Sequence, residues 1–236
     1  MKLEVCVDTV AGLEQAAACG VDRIELCQGL DLGGLTPSFA MMRRAASLPV
    51  PTFALIRPRP GNFVYTAREI DVMIDDIRAA RDVGIAGVVL GVLNEDLSLN
   101  RGALQALLDH CAGLGRTLHR GFDLTPDLFA AAEAAIELGF DRILTSGGAP
   151  TALQGSRTIA ELARRTAGLI SIMPGAGIRA DNVAWALRTD HIEEIHASCR
   201  KPPSDASPQG SFDFAAPTRG TDVIALKSLL SALQGS

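Results

Sequence analysis

Short apolar runs alternate with amphipathic stretches along the whole chain, and the first two runs share one pattern. Leu3-Glu4-Val5-Cys6 and Ile24-Glu25-Leu26-Cys27 both read apolar, Glu, apolar, Cys. Strand side chains alternate between faces, so Glu4 and Cys6 point one way, as do Glu25 and Cys27, while Leu3, Val5, Ile24 and Leu26 point the other. If helices cover the apolar face, two carboxylates and two thiols are left for the inside of a sheet or barrel. A charge is expensive there unless something polar or ionic meets it.

The same reading predicts strands over 2–7, 22–27, 51–56, 85–91, 116–120, 141–146, 168–173 and 192–197. Helical spacing covers 9–19, 37–47, 67–83, 100–112, 126–138, 152–166, 180–188 and 221–234. Thr36-Pro37 and Thr125-Pro126 read as an N-cap before a first-turn proline, Thr66-Ala67-Arg68-Glu69 as a capping box, and Gly20, Gly84 and Gly139 as helix ends. Eight strand–helix units in 236 residues predict an α/β fold, a single-domain TIM (β/α)8 barrel over 1–236. Gly20-Val21-Asp22-Arg23-Ile24 returns four units later as Gly139-Phe140-Asp141-Arg142-Ile143, either as half-barrel repetition or as favourable helix-to-strand turn chemistry. An open doubly wound sheet is the competing architecture, but Cys6-Val7-Asp8-Thr9 stands where its Gly-x-Gly-x-x-Gly belongs.

Composition narrows the class. Nearly half the residues are apolar, enough for a packed core, and the net charge is −5 with basic residues scattered singly and few aromatics, which argues against nucleic acid as a partner. No apolar run approaches the roughly 20 residues that span a bilayer, and Glu4 inside the first apolar run is unlike a secretory leader, so no membrane partner is expected. Five cysteines in or beside core segments point to reduced thiols and a cytoplasmic location. The expected ligand is a small molecule or a metal ion.

In a TIM barrel the site lies at the C-terminal ends of the strands. Glu25, His119, Asp123 and His196 fall there as candidate catalytic acids and bases, since a buried Glu near His makes a plausible proton-transfer pair. The plainer alternative is that Glu25 pairs with Arg57. Arg57, Arg120, Ser146, Gly147, Gly175 and Gly177 are candidates for holding an anion or substrate, because guanidinium is a planar double donor and Ser146-Gly147-Gly148 and Gly175-Ala176-Gly177 can expose backbone N–H groups. The same glycines would also serve tight turns. Cys6 and Cys27, inward on adjacent strands, could form a soft thiolate pair suited to Cu(I), or pack as small hydrophobes. Zinc would need His119 or His196 as further ligands. His110 and His191, on a helix end and in a turn, read as solvated or capping groups.

Taken together, Leu3-Glu4-Val5-Cys6, Asp22-Arg23-Ile24-Glu25-Leu26-Cys27, Gly33-Gly34-Leu35-Thr36-Pro37-Ser38, Ile56-Arg57-Pro58-Arg59, His119-Arg120-Gly121-Phe122-Asp123, Leu144-Thr145-Ser146-Gly147 and Met173-Pro174-Gly175-Ala176-Gly177 resemble the copper homeostasis protein CutC family. The resemblance runs from Leu3 to about Ser198. It implies a cytoplasmic TIM barrel, a homo-oligomer (dimer or tetramer), and copper binding with Cys6 and Cys27 as the ligands. Two positions depart from the family pattern: Gly121 stands where Ala is usual, and the Pro/Ser-rich segment after Arg200 is short. Copper leaves Arg57, Arg120, Asp123 and the glycine loops without a task. A cationic rim suits an anionic or sugar-like molecule, so the alternative function is an enzyme of unknown reaction with its site at that rim.

Overall fold

The computed structural model describes residues 1–202 and 219–234. Among these described residues, eight parallel strands alternate with eight α-helices. The strands are β1 (Lys2–Val7), β2 (Arg23–Leu26), β3 (Thr52–Leu55), β4 (Gly87–Leu90), β5 (Gly115–Leu118), β6 (Arg142–Thr145), β7 (Ser171–Pro174) and β8 (Glu194–Ala197). The helices are α1 (Val10–Cys19), α2 (Phe39–Ala46), α3 (Ala67–Asp82), α4 (Arg101–Leu108), α5 (Leu128–Glu137), α6 (Ser156–Arg165), α7 (Ala184–Leu187) and α8 (Val223–Gln234). The ladder runs β7-β6-β5-β4-β3-β2-β1-β8, and Ser171 Oγ donates to Glu194 Oε1 at 2.5 Å between the two outermost strands, which lie in contact and nearly close a TIM barrel. Among the described residues no helix is long and apolar enough to cross a membrane.

The expected elements are all present, with ends that differ for local reasons. β7 starts at Ser171 rather than 168, because Gly168 takes a left-handed φ of 76° and the chain turns back on Thr166 before the strand begins. α2 and α5 start two residues late, capped by Ser38 and Asp127 instead of Thr36 and Thr125. Both threonine hydroxyls are engaged elsewhere: Thr36 Oγ1 accepts from the Arg57 N–H and Thr125 Oγ1 donates to the Phe122 carbonyl. The Thr66–Glu69 capping box is formed. α7 keeps only Ala184–Leu187 of the expected 180–188. The Pro/Ser-rich segment singled out after Arg200 lies, over 203–218, outside the described residues.

The alternation read from sequence sorts the two layers. Leu3, Val5, Ile24 and Leu26 pack outward with Leu13, Met42, Met73 and Ile77 of the helices, while Cys6 and Cys27 join Phe53, Leu55 and Val89 inside the barrel. Phe53 fills the barrel floor against Gly87 and Gly115, where a Cβ would come within 2.5 and 2.4 Å of its ring. The guanidiniums of Arg23 and Arg142 lie 5.1 and 4.9 Å from the Phe53 ring centroid, and both reach Glu194. The repeated segment therefore does the same work twice. Asp22 accepts the N–H of Leu3 at 2.8 Å and Asp141 that of Arg116 at 2.7 Å, while the following arginine enters the barrel.

Candidate functional site

Strand register builds the main cluster. It sets Glu4 between Arg23 and His196, and Cys6 beside Glu25, with Cys27 two residues further along β2's path. Cys6 Sγ donates to Glu25 Oε1 at 3.3 Å and lies 3.6 Å from Cys27 Sγ. Glu25 Oε2 is buried without a hydrogen-bond partner. His196 Nδ1 is 2.8 Å from Glu4 Oε1, whose second oxygen accepts from Arg23. Cys6 Sγ, a Glu25 oxygen and a His196 ring nitrogen all lie within 4.8 Å of one another.

Charge follows from these contacts. Burial pushes Glu4 upward, but the bond to His196 and the Arg23 guanidinium outweigh it and hold the carboxylate down at about 2. Glu25, equally buried but without a guanidinium bonded to it, is driven above the usual carboxylate range, chiefly by desolvation. Burial pulls His196 down, yet its bond to Glu4 and the charges of Glu25 and Glu4 leave it above the ordinary imidazole value. The Cys6 thiol is raised by its contact with Cys27, then by burial and by Glu25. Glu25 does not pair with Arg57; among the described residues the charged contacts inside the barrel are Glu4–Arg23, Glu4–His196, Arg23–Glu194 and Arg142–Glu194. The sequence signal for that network is the repeated Asp-Arg-Ile together with the inward parity of Glu4.

The donor set fits a soft monovalent cation. Two reduced sulfurs 3.6 Å apart are well beyond a disulfide bond yet close enough to share one ion, and the orphaned Glu25 oxygen marks a place where the fold leaves a polar atom without a partner.

The other predicted residues are brought to the same end of the barrel but turned to internal contacts. Arg57 Nη1 donates to the carbonyls of Leu32 and Gly34 and Nη2 to that of Gly61, at 2.8–3.0 Å, so the guanidinium ties two loops together; its Nε is enclosed and unpaired. The His119 ring lies 4.5 Å from the Phe63 ring and over Gly91, where a Cβ would come within 2.4 Å of it. Nδ1 accepts the Gly121 N–H, Nε2 is enclosed, and burial, helped by Arg57, holds the imidazole down at about 4. Asp123 accepts from Thr145 Oγ1, the N–H and hydroxyl of Ser146, the N–H of Gly148 and Arg120 Nε. The nest expected at Ser146-Gly147-Gly148 thus exists, and its anion is the protein's own carboxylate. The Gly147 N–H goes to Thr145 Oγ1, and the Gly175 N–H to the Thr145 carbonyl.

A cavity of about 720 Å³ opens at the ends of β7 and β8. Arg120, Gly177, Arg179, His196, Arg200 and Asp222 are among its walls, whereas Cys6, Cys27 and Glu25 are not, so His196 connects it to the buried cluster. Gly177 was expected at such a site; Arg179 was not, because it sits five residues past β7 with no motif around it.

The sequence pattern of the CutC family matches residues 1–201. A family protein CutC of Agrobacterium fabrum is 50% identical over 98% of this chain and 95% of its own length, and one of Caulobacter vibrioides is 45% identical over 98% and 96%. The solved structure of a CutC from Streptococcus agalactiae, named for copper homeostasis, superposes with a TM-score of 0.79 at 29% identity, covering 83% of this chain and 97% of that one. Phosphoribosylanthranilate isomerase from Pyrococcus furiosus, at 12% identity and a TM-score of 0.58, shares the barrel alone. The chain belongs to the CutC family.

Proposed function

We propose that this protein serves copper homeostasis by binding Cu(I) through Cys6 and Cys27. The observation that carries the reading is the pair of buried sulfurs 3.6 Å apart with the Glu25 carboxyl and His196 imidazole beside Cys6. Soft thiolates select Cu(I), and the ion takes the sulfurs as thiolates, so thiol protons must leave. Glu25 already accepts the Cys6 S–H, and burial favours its protonated form, so this carboxyl is the group placed to receive the Cys6 proton, while the Cys27 proton, directed at the Val7 carbonyl, is released to water. His196, raised above its ordinary value, supplies positive charge beside the resulting thiolates. Membership of a family associated with copper homeostasis supports the same reading, as do the five free cysteines, which suit a reducing cytoplasm. We extend the proposal to a homo-oligomer, as the family resemblance implies.

The test is an anaerobic competition against a chromogenic Cu(I) chelator. Wild-type protein should withdraw stoichiometric copper, and the Cys6→Ser, Cys27→Ser double variant should withdraw none. Equal affinity in the two proteins would leave Cu(I) without this site. A second reading, acid–base catalysis on a small molecule, is favoured by the cavity reaching His196 while Glu4 holds that ring's other side. A screen of metabolites for turnover separates it from binding alone.

A further inference from the structure

The donors of Arg57 and of the glycine nest after β6 are spent on the protein itself, yet the cavity beside β7 and β8 keeps guanidinium N–H groups without a partner among the described residues. We infer that this cavity binds a small molecule through an anionic group, phosphate or carboxylate, held by Arg179, with Arg120 lining the same cavity. The inference is separate from the copper reading, since neither Cys6 nor Cys27 lines the cavity.

Four arginines and two aspartates are among the lining residues, but they are not equivalent. Arg200 is committed: Nη1 and Nη2 donate to Asp31 and Nε to the Arg219 carbonyl. Arg219 donates through Nε to the Lys201 carbonyl and has Nη1 4.0 Å from Asp31. Asp222 accepts the first N–H groups of α8. Arg120 spends Nε on Asp123 and Nη2 on Ser146, which fixes the guanidinium and leaves Nη1 without a partner among the described residues. Arg179 is exposed, and its guanidinium has no hydrogen-bond or ion-pair partner among the described residues. Asp181, on the same lip, supplies the opposing charge and limits the affinity rather than abolishing it, because a guanidinium binds an anion through directed bonds as well as net charge.

The backbone supplies independent support. Only four non-glycine residues among those described have positive φ, and two of them, Ala176 at 81° and Cys199 at 42°, form walls of this cavity. Such conformations are costly for a residue with a Cβ and persist where surrounding structure holds a site in shape. Ala176 is followed by Gly177 at 74°, so consecutive left-handed residues line the same edge. The volume, about 720 Å³, lies in the range of small-molecule pockets, and His196 at its inner wall offers a hydrogen-bonding group to the rest of the ligand. A phosphorylated or carboxylated polyhydroxy compound matches both ends.

Titration of the full-length protein with inorganic phosphate, ribose 5-phosphate and gluconate, each against chloride at matched ionic strength, reads the inference by calorimetry and by thermal shift. At least one of the three should bind saturably. Arg179→Ala should weaken that binding about tenfold or more, the loss expected for one charge-assisted contact, and Arg179→Lys by less. Asp181→Asn should tighten it. The Cys6→Ser, Cys27→Ser double variant should bind as wild type does, which separates this site from any failure or success of the copper reading. No saturable binding of any probe overturns the inference, and so does binding that Arg179→Ala leaves intact. Arg179 is exposed and its guanidinium has no partner among the described residues, so its variant reports on the ligand and not on folding.

Discussion

Asp123 and Glu25 are carboxylates at the mouth of one barrel, and their surroundings make them opposites. Asp123 collects five donors from the β5 and β6 ends, which leaves its oxygens no acceptor capacity for a ligand. Glu25, on β2 beside Cys6 of β1, accepts one weak thiol donor and keeps an oxygen buried without a partner among the described residues. The first arrangement is what a stable fold requires. The second costs stability, and a native protein that tolerates it keeps the group for chemistry. Residue type and position at a strand end, which sequence supplies, do not separate the two. Whether lone pairs and N–H groups are already taken does.

The largest test of this contrast is Asp123→Ala. It strands the Ser146 and Gly148 N–H groups and the Thr145 hydroxyl together, and should lower the unfolding free energy by about 3–4 kcal/mol in denaturant titration. A loss below about 1 kcal/mol would mean the loop holds its shape without the carboxylate, and the division between the two sides would fail.

Next comes the acid limb, where His119 belongs with Asp123 on the structural side. Its folded value is about 4 against 6.5 in the unfolded chain, so the unfolded state binds more protons between those values. Its contribution is complete above pH 6.5 and is lost as pH falls toward 4, a loss of about 3 kcal/mol. The geometry agrees, because protonating Nδ1 would set an N–H against the Gly121 N–H. His119→Gln should flatten the fall in melting temperature over that interval. An unchanged slope would show that the imidazole titrates freely and is open to a substrate after all.

Much of this was legible beforehand. Period-two alternation in Leu3–Cys6 and Ile24–Cys27 gave the inward face, and eight repeats of strand and helix gave the barrel. The sulfur pair followed from parity, although the register places Glu25, not Cys27, level with Cys6. What the sequence hid was pairing at long range. Arg57 reads as an anion clamp until the carbonyls of Leu32, Gly34 and Gly61 are seen around it, and the glycine nest after β6 reads as empty until Asp123 fills it. Arg179 gives no signal in the sequence for the converse reason. It belongs to no motif, and only the cavity wall gives it meaning.

The smallest expected effect is the most discriminating. Glu25→Gln keeps the shape of the side chain and removes its charge, and burying a neutral amide costs less than burying an unpaired carboxylate. At neutral pH the variant should therefore lie within about 1 kcal/mol of wild type, or above it. The pH dependence carries the sign. A carboxyl with a raised folded value contributes stability that is complete below its unfolded value of 4.5 and is lost as pH rises through the folded value, so wild type should decline with rising pH where Glu25→Gln does not. His196 adds a decline of the same sign above pH 6.5, and losing the Glu25 charge should move that decline to lower pH. Denaturant midpoints measured from pH 5 to pH 9 on both proteins resolve the difference curve. A variant that is destabilised by several kcal/mol at every pH would show that Glu25 is held as firmly as Asp123, and the spare acid beside Cys6 would lose its claim to a working role.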